Sequence, residues 1–243
     1  METDIEFEEF WRWTKSQIEN MKLLDPHRCL VYGASTHHYH VEQVVNYKSI
    51  LKFERKNKID LPTSYRSYLL HFGSCGASDF NGTHNFLTKL FKDDVSKPSQ
   101  LTVFEGVQEI ESDSPPHPIE NSDGIVQIAK GFNPSVPFLV LNGVASGWVY
   151  WWNHDDMVGC LGRFEDWYRE WTERTIQILE KHKLVESIPI GSPISSVENM
   201  FPDETSIQFQ ENRKIVRIKD LVYYFELDEN DNLIKSCKDP KYT

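Results

Sequence analysis

The stretch that most narrows the possible folds is residues 61–76, LPTSYRSYLLHFGSCG. Tyr65, Tyr68, Leu69 and Phe72 recur at i, i+3, i+4 and i+7, the spacing that lines up side chains on one face of a helix. Pro62 suits the first helical turn, where a missing N–H leaves nothing unsatisfied and a fixed φ favours entry. Gly73 and Gly76 stand where the helix should stop, and glycine accepts the left-handed cap such an end requires.

Other elements follow in chain order. Phe7, Phe10, Trp11, Thr14, Ile18 and Met21 predict a helix over 4–23 with one buried face. Its first turns carry Asp4, Glu6, Glu8 and Glu9, the end that favours negative charge. A short extended piece is expected at 29–32, then a loop, GASTHHYH. Residues 41–57 read as a second helix with apolar positions Val44, Tyr47, Ile50, Leu51 and Phe53. Arg55, Lys56 and Lys58 form a basic end that suits a helix C-terminus. With 61–72 this helix makes a helix pair joined by a short loop. Residues 74–135 are the least regular part, and the acidic, proline-rich 105–118 reads as an exposed loop. A short strand is expected at 125–129. PFLVL at 137–141 and GWVYWW at 147–152 read as a hairpin, with a further strand at 157–161. An aromatic stripe through Phe164, Trp167, Tyr168 and Trp171 marks a long helix over 163–183.

From Glu186 onward the chain reads as a small appended module. Ser192 and Pro193 open a short helix over 194–200, and strand-like runs follow at 206–210, 214–218, 222–227 and 233–236. The expected organisation is therefore an α+β domain over 1–185 and a small helix-and-meander module over 186–243.

Charge and cysteine usage bound the function. The 243 residues carry a net charge of −11, of which −4 falls after residue 185 (11 acidic and 7 basic). Such a balance argues against a nucleic-acid binder, whose footprint is basic, and suits solubility or a basic protein partner. Cys29, Cys75, Cys160 and Cys237 lie far apart with no CxxC, which points to a reducing cytoplasm. The acidic N-terminus is unlike a secretory signal, and no apolar run is long enough for a membrane span.

The chemical inventory is thin. His37, His38 and His40 crowd together, but no HExxH or cysteine pair accompanies them, and a loop packing Tyr39 and one imidazole inward is preferred to a metal site. His154 beside Asp155 and Asp156 reads as an Asx-type turn rather than a catalytic pair. His71 with Cys75 shows no sign of nucleophile activation. No GxGxxG, P-loop or GxSxG occurs. No catalytic residue, metal or cofactor is expected.

The order of the pieces resembles the SUKH superfamily, which includes bacterial immunity proteins and fungal cell-wall-synthesis regulators. Gly33-Ala34-Ser35 with His37 and Tyr39 looks like its opening loop. Phe53-Glu54, Ile59-Asp60-Leu61-Pro62 and Tyr65-Arg66-Ser67-Tyr68-Leu69 look like its helix pair, and Gly73 to Gly76 its glycine turn. Gly147-Trp148-Val149-Tyr150 resembles the G-x-V-W strand, and Phe164-Glu165-Asp166-Trp167-Tyr168 the closing helix. The likeness spans residues 28–180. It departs in the turn, at Ser74-Cys75-Gly76, and in the long acidic middle loop. The resemblance implies a central, mostly antiparallel sheet flanked by helices. It also implies a non-enzymatic cytoplasmic immunity protein that neutralises a cognate toxin, often a nuclease in this family and here expected to be basic, of a polymorphic or contact-dependent system. Glu105, Glu109, Glu111 and Asp113, joined by Asp155 and Asp156, are the candidate partner-binding surface, an acidic face imitating nucleic acid. The alternatives are a regulatory scaffold protein and, from another class, a small metal-dependent hydrolase using His37, His38, His40 or His154. Neither direct nucleic-acid binding nor membrane association is expected, and the oligomeric state is left open.

Overall fold

The computed structural model describes residues 2–79, 82–83, 95–104, 106–109, 123–129, 136–152, 157–210, 213–219, 221 and 223–238. The chain divides into two compact units: Met1–Asn20 with Gly33–Glu173, and Met21–Tyr32 with Arg174–Thr243. It is an α+β protein. The second unit thus takes in 21–32 and 174–185 as well as the C-terminal module.

The first unit opens with α1 (Glu2–Leu24), whose buried face includes Trp11, Thr14 and Ile18. A single turn, α2 (Ala34–His37), leads to α3 (Tyr47–Asn57), and α4 (Thr63–Ser67) continues into a π-turn over Tyr68–Phe72. These helical pieces meet in an aromatic core. The Trp11 ring lies 5.1 Å from Tyr68, 5.4 Å from Tyr168 and 5.7 Å from Phe72, edge-on or tilted, the arrangements aromatic quadrupoles favour.

The sheet of this unit is antiparallel and five-stranded, with β1 (Val107–Glu109), β2 (Ile125–Gln127), β3 (Val136–Val140), β4 (Trp148–Trp152) and β5 (Met157–Arg163) in the order β1-β5-β4-β3-β2. Alternation sorts its faces: Phe138 pairs with Tyr150, and Leu139 with Val149. The Phe138–Tyr150 face joins Ile125, Val140 and Val158 in one cluster under Leu101 and Phe104, and Leu139 and Val149 are buried on the other face. The β5 strand runs directly into α5 (Phe164–Glu186), whose Phe164 and Tyr168 close the aromatic core.

The second unit holds α6 (Ser195–Met200) and an antiparallel meander, β6 (Thr205–Gln210), β7 (Arg213–Ile218), β8 (Tyr223–Leu227) and β9 (Leu233–Lys238), in sequential order. Its own apolar core contains Val185, Ile188, Val197, Phe201, Val216, Ile218, Leu221, Phe225, Leu227 and Leu233.

Five local expectations are corrected. The second helix starts at Tyr47 rather than 41, because Asn46 caps it through Lys48 N–H at 2.8 Å. Residues 41–45 instead lie extended along the chain after the π-turn: Glu42 N–H donates to Cys75 O and Val45 N–H to Leu69 O. Val44 and Tyr47, expected inside, are therefore about half exposed. Gly73 has φ 171°, an extended value and not a left-handed cap; a Cβ there would stand 2.6 Å from Glu42 O, so close backbone approach is what requires glycine. Residues 29–32 form no strand; the Asp25 carboxylate accepts from Cys29 and Leu30 N–H. Finally, part of the expected 105–118 loop is the edge strand β1. At α6, the cap position is Ile194 with no side-chain cap bond, in place of Ser192.

Candidate functional site

The most developed surface of the first unit is built on one buried carboxylate. Glu54 lies inside α3, where desolvation would penalise its charge unless donors surround it. Its Oε1 accepts from Leu61 N–H at 2.9 Å and Arg66 Nε at 3.0 Å, and Arg66 Nη2 closes the pair. This ties the 59–62 connection and α4 to α3. The same Arg66 Nη2 is 3.9 Å from the carboxylate of the exposed Asp60.

Facing this corner is the β3–β4 turn, residues 141–147. Leu141 N–H donates to Gly124 O, Ser146 Oγ to Leu141 O and Gly147 N–H to Val140 O. Asn142 reaches the 96–99 segment twice, donating from Nδ2 to Ser96 O and accepting at its carbonyl from Ser99 N–H. Gly143 sits at φ 118° with Ser99 O 2.7 Å from where a Cβ would stand, so a left-handed geometry and close approach both select glycine. The turn is thereby fixed from three sides.

Two depressions flank it and share Ser146. One, of about 590 Å³, lies between Leu51, Arg55, Lys58 and Ile59 on one wall and Leu141, Asn142 and Gly143 on the other. The second, of about 420 Å³, is lined by Phe7, Pro62, Thr63, Ser64, Gly147, Arg163 and Glu165. Arg163 is held over the Trp148 ring at 5.8 Å.

The α3 wall is cationic. Lys48, Lys52, Arg55, Lys56 and Lys58 are all exposed, and none of them enters an ion pair among the described residues. At 100° per residue Lys48, Lys52, Arg55 and Lys56 occupy the arc opposite Ile50, Phe53 and Glu54, which are buried, and Lys58 follows as the left-handed C-cap. The basic end expected from the helix dipole is thus part of a longer stripe.

Comparison of the chain with family models, curated proteins and solved structures finds no match.

Of the sequence-predicted partner-binding residues, Glu105, Glu111, Asp113, Asp155 and Asp156 lie outside the described residues, as does His154. Glu109 ends β1, paired across from Met157 at the start of β5. That register makes the described ends of the two acidic segments strand neighbours.

The histidines and cysteine have defined local partners. His37 is buried with its ring edge-on to Tyr39, and its Nδ1 accepts from Tyr39 N–H at 3.0 Å. His38 Nε2 lies 2.7 Å from Ser35 O. Among the described residues no group of three or more His, Cys, Asp or Glu could hold one metal ion. Burial and then the Glu42 carboxylate push the Cys75 thiol up to about 12, so at neutral pH it is a thiol and a poor nucleophile. Burial likewise raises the Tyr65, Tyr68 and Tyr168 phenols, and Tyr168 uses its proton to donate to Ala77 O. The arrangement can attract and orient anionic groups at α3. No helix among the described residues is long and apolar enough to cross a membrane.

Proposed function

We propose that this chain is a non-enzymatic binding protein of the SUKH immunity type, which neutralises a cognate toxin, a basic nuclease in the simplest case, by covering its active site. The observation that carries the reading is the convergence of the residues that suggested the family. Phe53-Glu54 and Leu61–Arg66 are joined by the Glu54–Arg66 pair, Phe164 packs on Tyr65 and Tyr68, and Gly147 O accepts from Phe164 N–H. Segments far apart in sequence thus serve one scaffold, and their shared role is architectural. A scaffold of this kind presents surface instead of reacting groups. The adjacency of Glu109 and Met157 supports a single acidic face drawn from 105–113 and 155–156.

The test is capture from source cells with the full tagged chain as bait at low salt. One basic, toxin-like partner that elutes as salt rises is the expected result, because exposed charge pairs are screened. Reversing Glu109, Glu111 and Asp155 to lysine should then weaken capture at least tenfold. Recovery of regulatory or envelope proteins alone would overturn the immunity reading.

A further inference from the structure

We propose that the outward face of α3, with the depression beside it, docks an acidic, extended peptide segment of a protein partner. Five cations along eleven consecutive residues, 48–58, none in an ion pair among the described residues, are a marked local reversal in a chain of net charge −11. Lysine near the helix end answers the dipole, but Lys48 lies in the first turn of α3 and Lys52 at its midpoint, where the dipole gives cations no benefit. No described carboxylate forms an ion pair with the stripe: of the two acids that line the depression, Glu54 is buried and paired with Arg66, and the exposed Asp60 is approached by Arg66.

The spacing selects the occupant. Lys48, Lys52 and Lys56 follow at single turns, about 6 Å apart along the axis. Same-face side chains of an extended chain repeat at about 6.6 Å. A segment with acidic residues at alternate positions can therefore place successive carboxylates on successive cations. Arg55, beside this row, and the C-cap Lys58 line the wall of the depression, where the planar guanidinium can grip one carboxylate bidentately. Half-exposed Tyr47 adds apolar contact at the other end. A nucleic-acid strand fits less well. The stripe is about 15 Å long, and a uniformly charged polymer would run past it onto a chain that is acidic overall. A short acidic peptide need not.

The experiment is fluorescence anisotropy with the full chain and three labelled ten-residue probes at low salt: alternating glutamate and serine, alternating lysine and serine, and a single-stranded deoxyoligonucleotide. Saturable binding of the glutamate probe that weakens with salt is expected, with the oligonucleotide binding at least tenfold more weakly. The K48E/K52E variant should lose at least tenfold in affinity for the glutamate probe. K183E/K219E, two exposed charge reversals in the second unit with the same change in net charge, should change it less than twofold, separating site loss from net charge. Circular dichroism verifies that each variant is folded. Absence of glutamate-probe binding, equal loss in K183E/K219E, or preference for the oligonucleotide would each overturn the proposal. None of these outcomes bears on the acidic segments, so the immunity reading stands or falls separately.

Discussion

Burial holds the His182 imidazole down to about 4 against an ordinary value of 6.5, although the Asp25 carboxylate pulls it upward. The folded chain therefore refuses a proton that the unfolded chain accepts once pH drops below 6.5. Stability is unaffected by this group above that pH and falls progressively down to about pH 4, by a total on the order of 3 kcal/mol. Urea midpoints measured at pH 7.5, 6 and 4.5 should decline more steeply for the wild type than for His182→Leu, in which the titrating group is gone. Parallel declines would assign the acid sensitivity to carboxylates instead. His182 was invisible in the sequence, since a histidine in an amphipathic helix carries no sign of how deeply its face will be buried. Glu54 was quoted from the sequence as part of a motif, but its role was not legible: its donors Leu61 and Arg66 are seven and twelve residues away.

Among the elements, α3 shows where periodicity succeeds and where it stops. Its apolar period places Ile50 and Phe53 in the core, where they lie, but the same period runs back through Val44, which is half exposed and precedes the helix. Asn46 supplied the missing signal, because an N-cap side chain outweighs a marginal apolar position. Asn46→Ala should destabilise the protein by about 1 kcal/mol, measured as a lower urea midpoint, and fray the end of α3 that carries Lys48. The hairpin of β3 and β4 and the C-terminal strands were legible from β-branched and aromatic runs between turn residues. The three-residue edge strand β1 was not, since its pairing is set by its neighbour β5 rather than by its own composition. The cationic stripe was in plain sight. Its C-terminal half was assigned to the helix dipole, and that explanation concealed the two lysines that the dipole cannot account for.

For the whole molecule, the two units differ in what reports on them. All seven tryptophans, Trp11, Trp13, Trp148, Trp151, Trp152, Trp167 and Trp171, belong to the first unit, so indole fluorescence follows that unit alone. Val216 is fully buried in the separate core of the second, and Val216→Asp places an unpaired charge there. The variant should lose strand circular dichroism at lower urea while the fluorescence midpoint stays near wild type. Coincident midpoints would mean that the chain unfolds as one cooperative body. The α+β class and the existence of a C-terminal meander were readable from element order. The drafting of 21–32 and 174–185 into the second unit was not, because the helices that contribute them show one continuous pattern through the division. The cations of α3 have one more consequence. A chain of net charge −11 that gathers five of its 26 basic residues on one short helix and its C-cap carries an uneven field. Such a field exerts a torque on an approaching charged molecule, turning it during diffusion before any contact forms. Encounter rate and orientation are then governed by α3 even where the final complex is held together elsewhere.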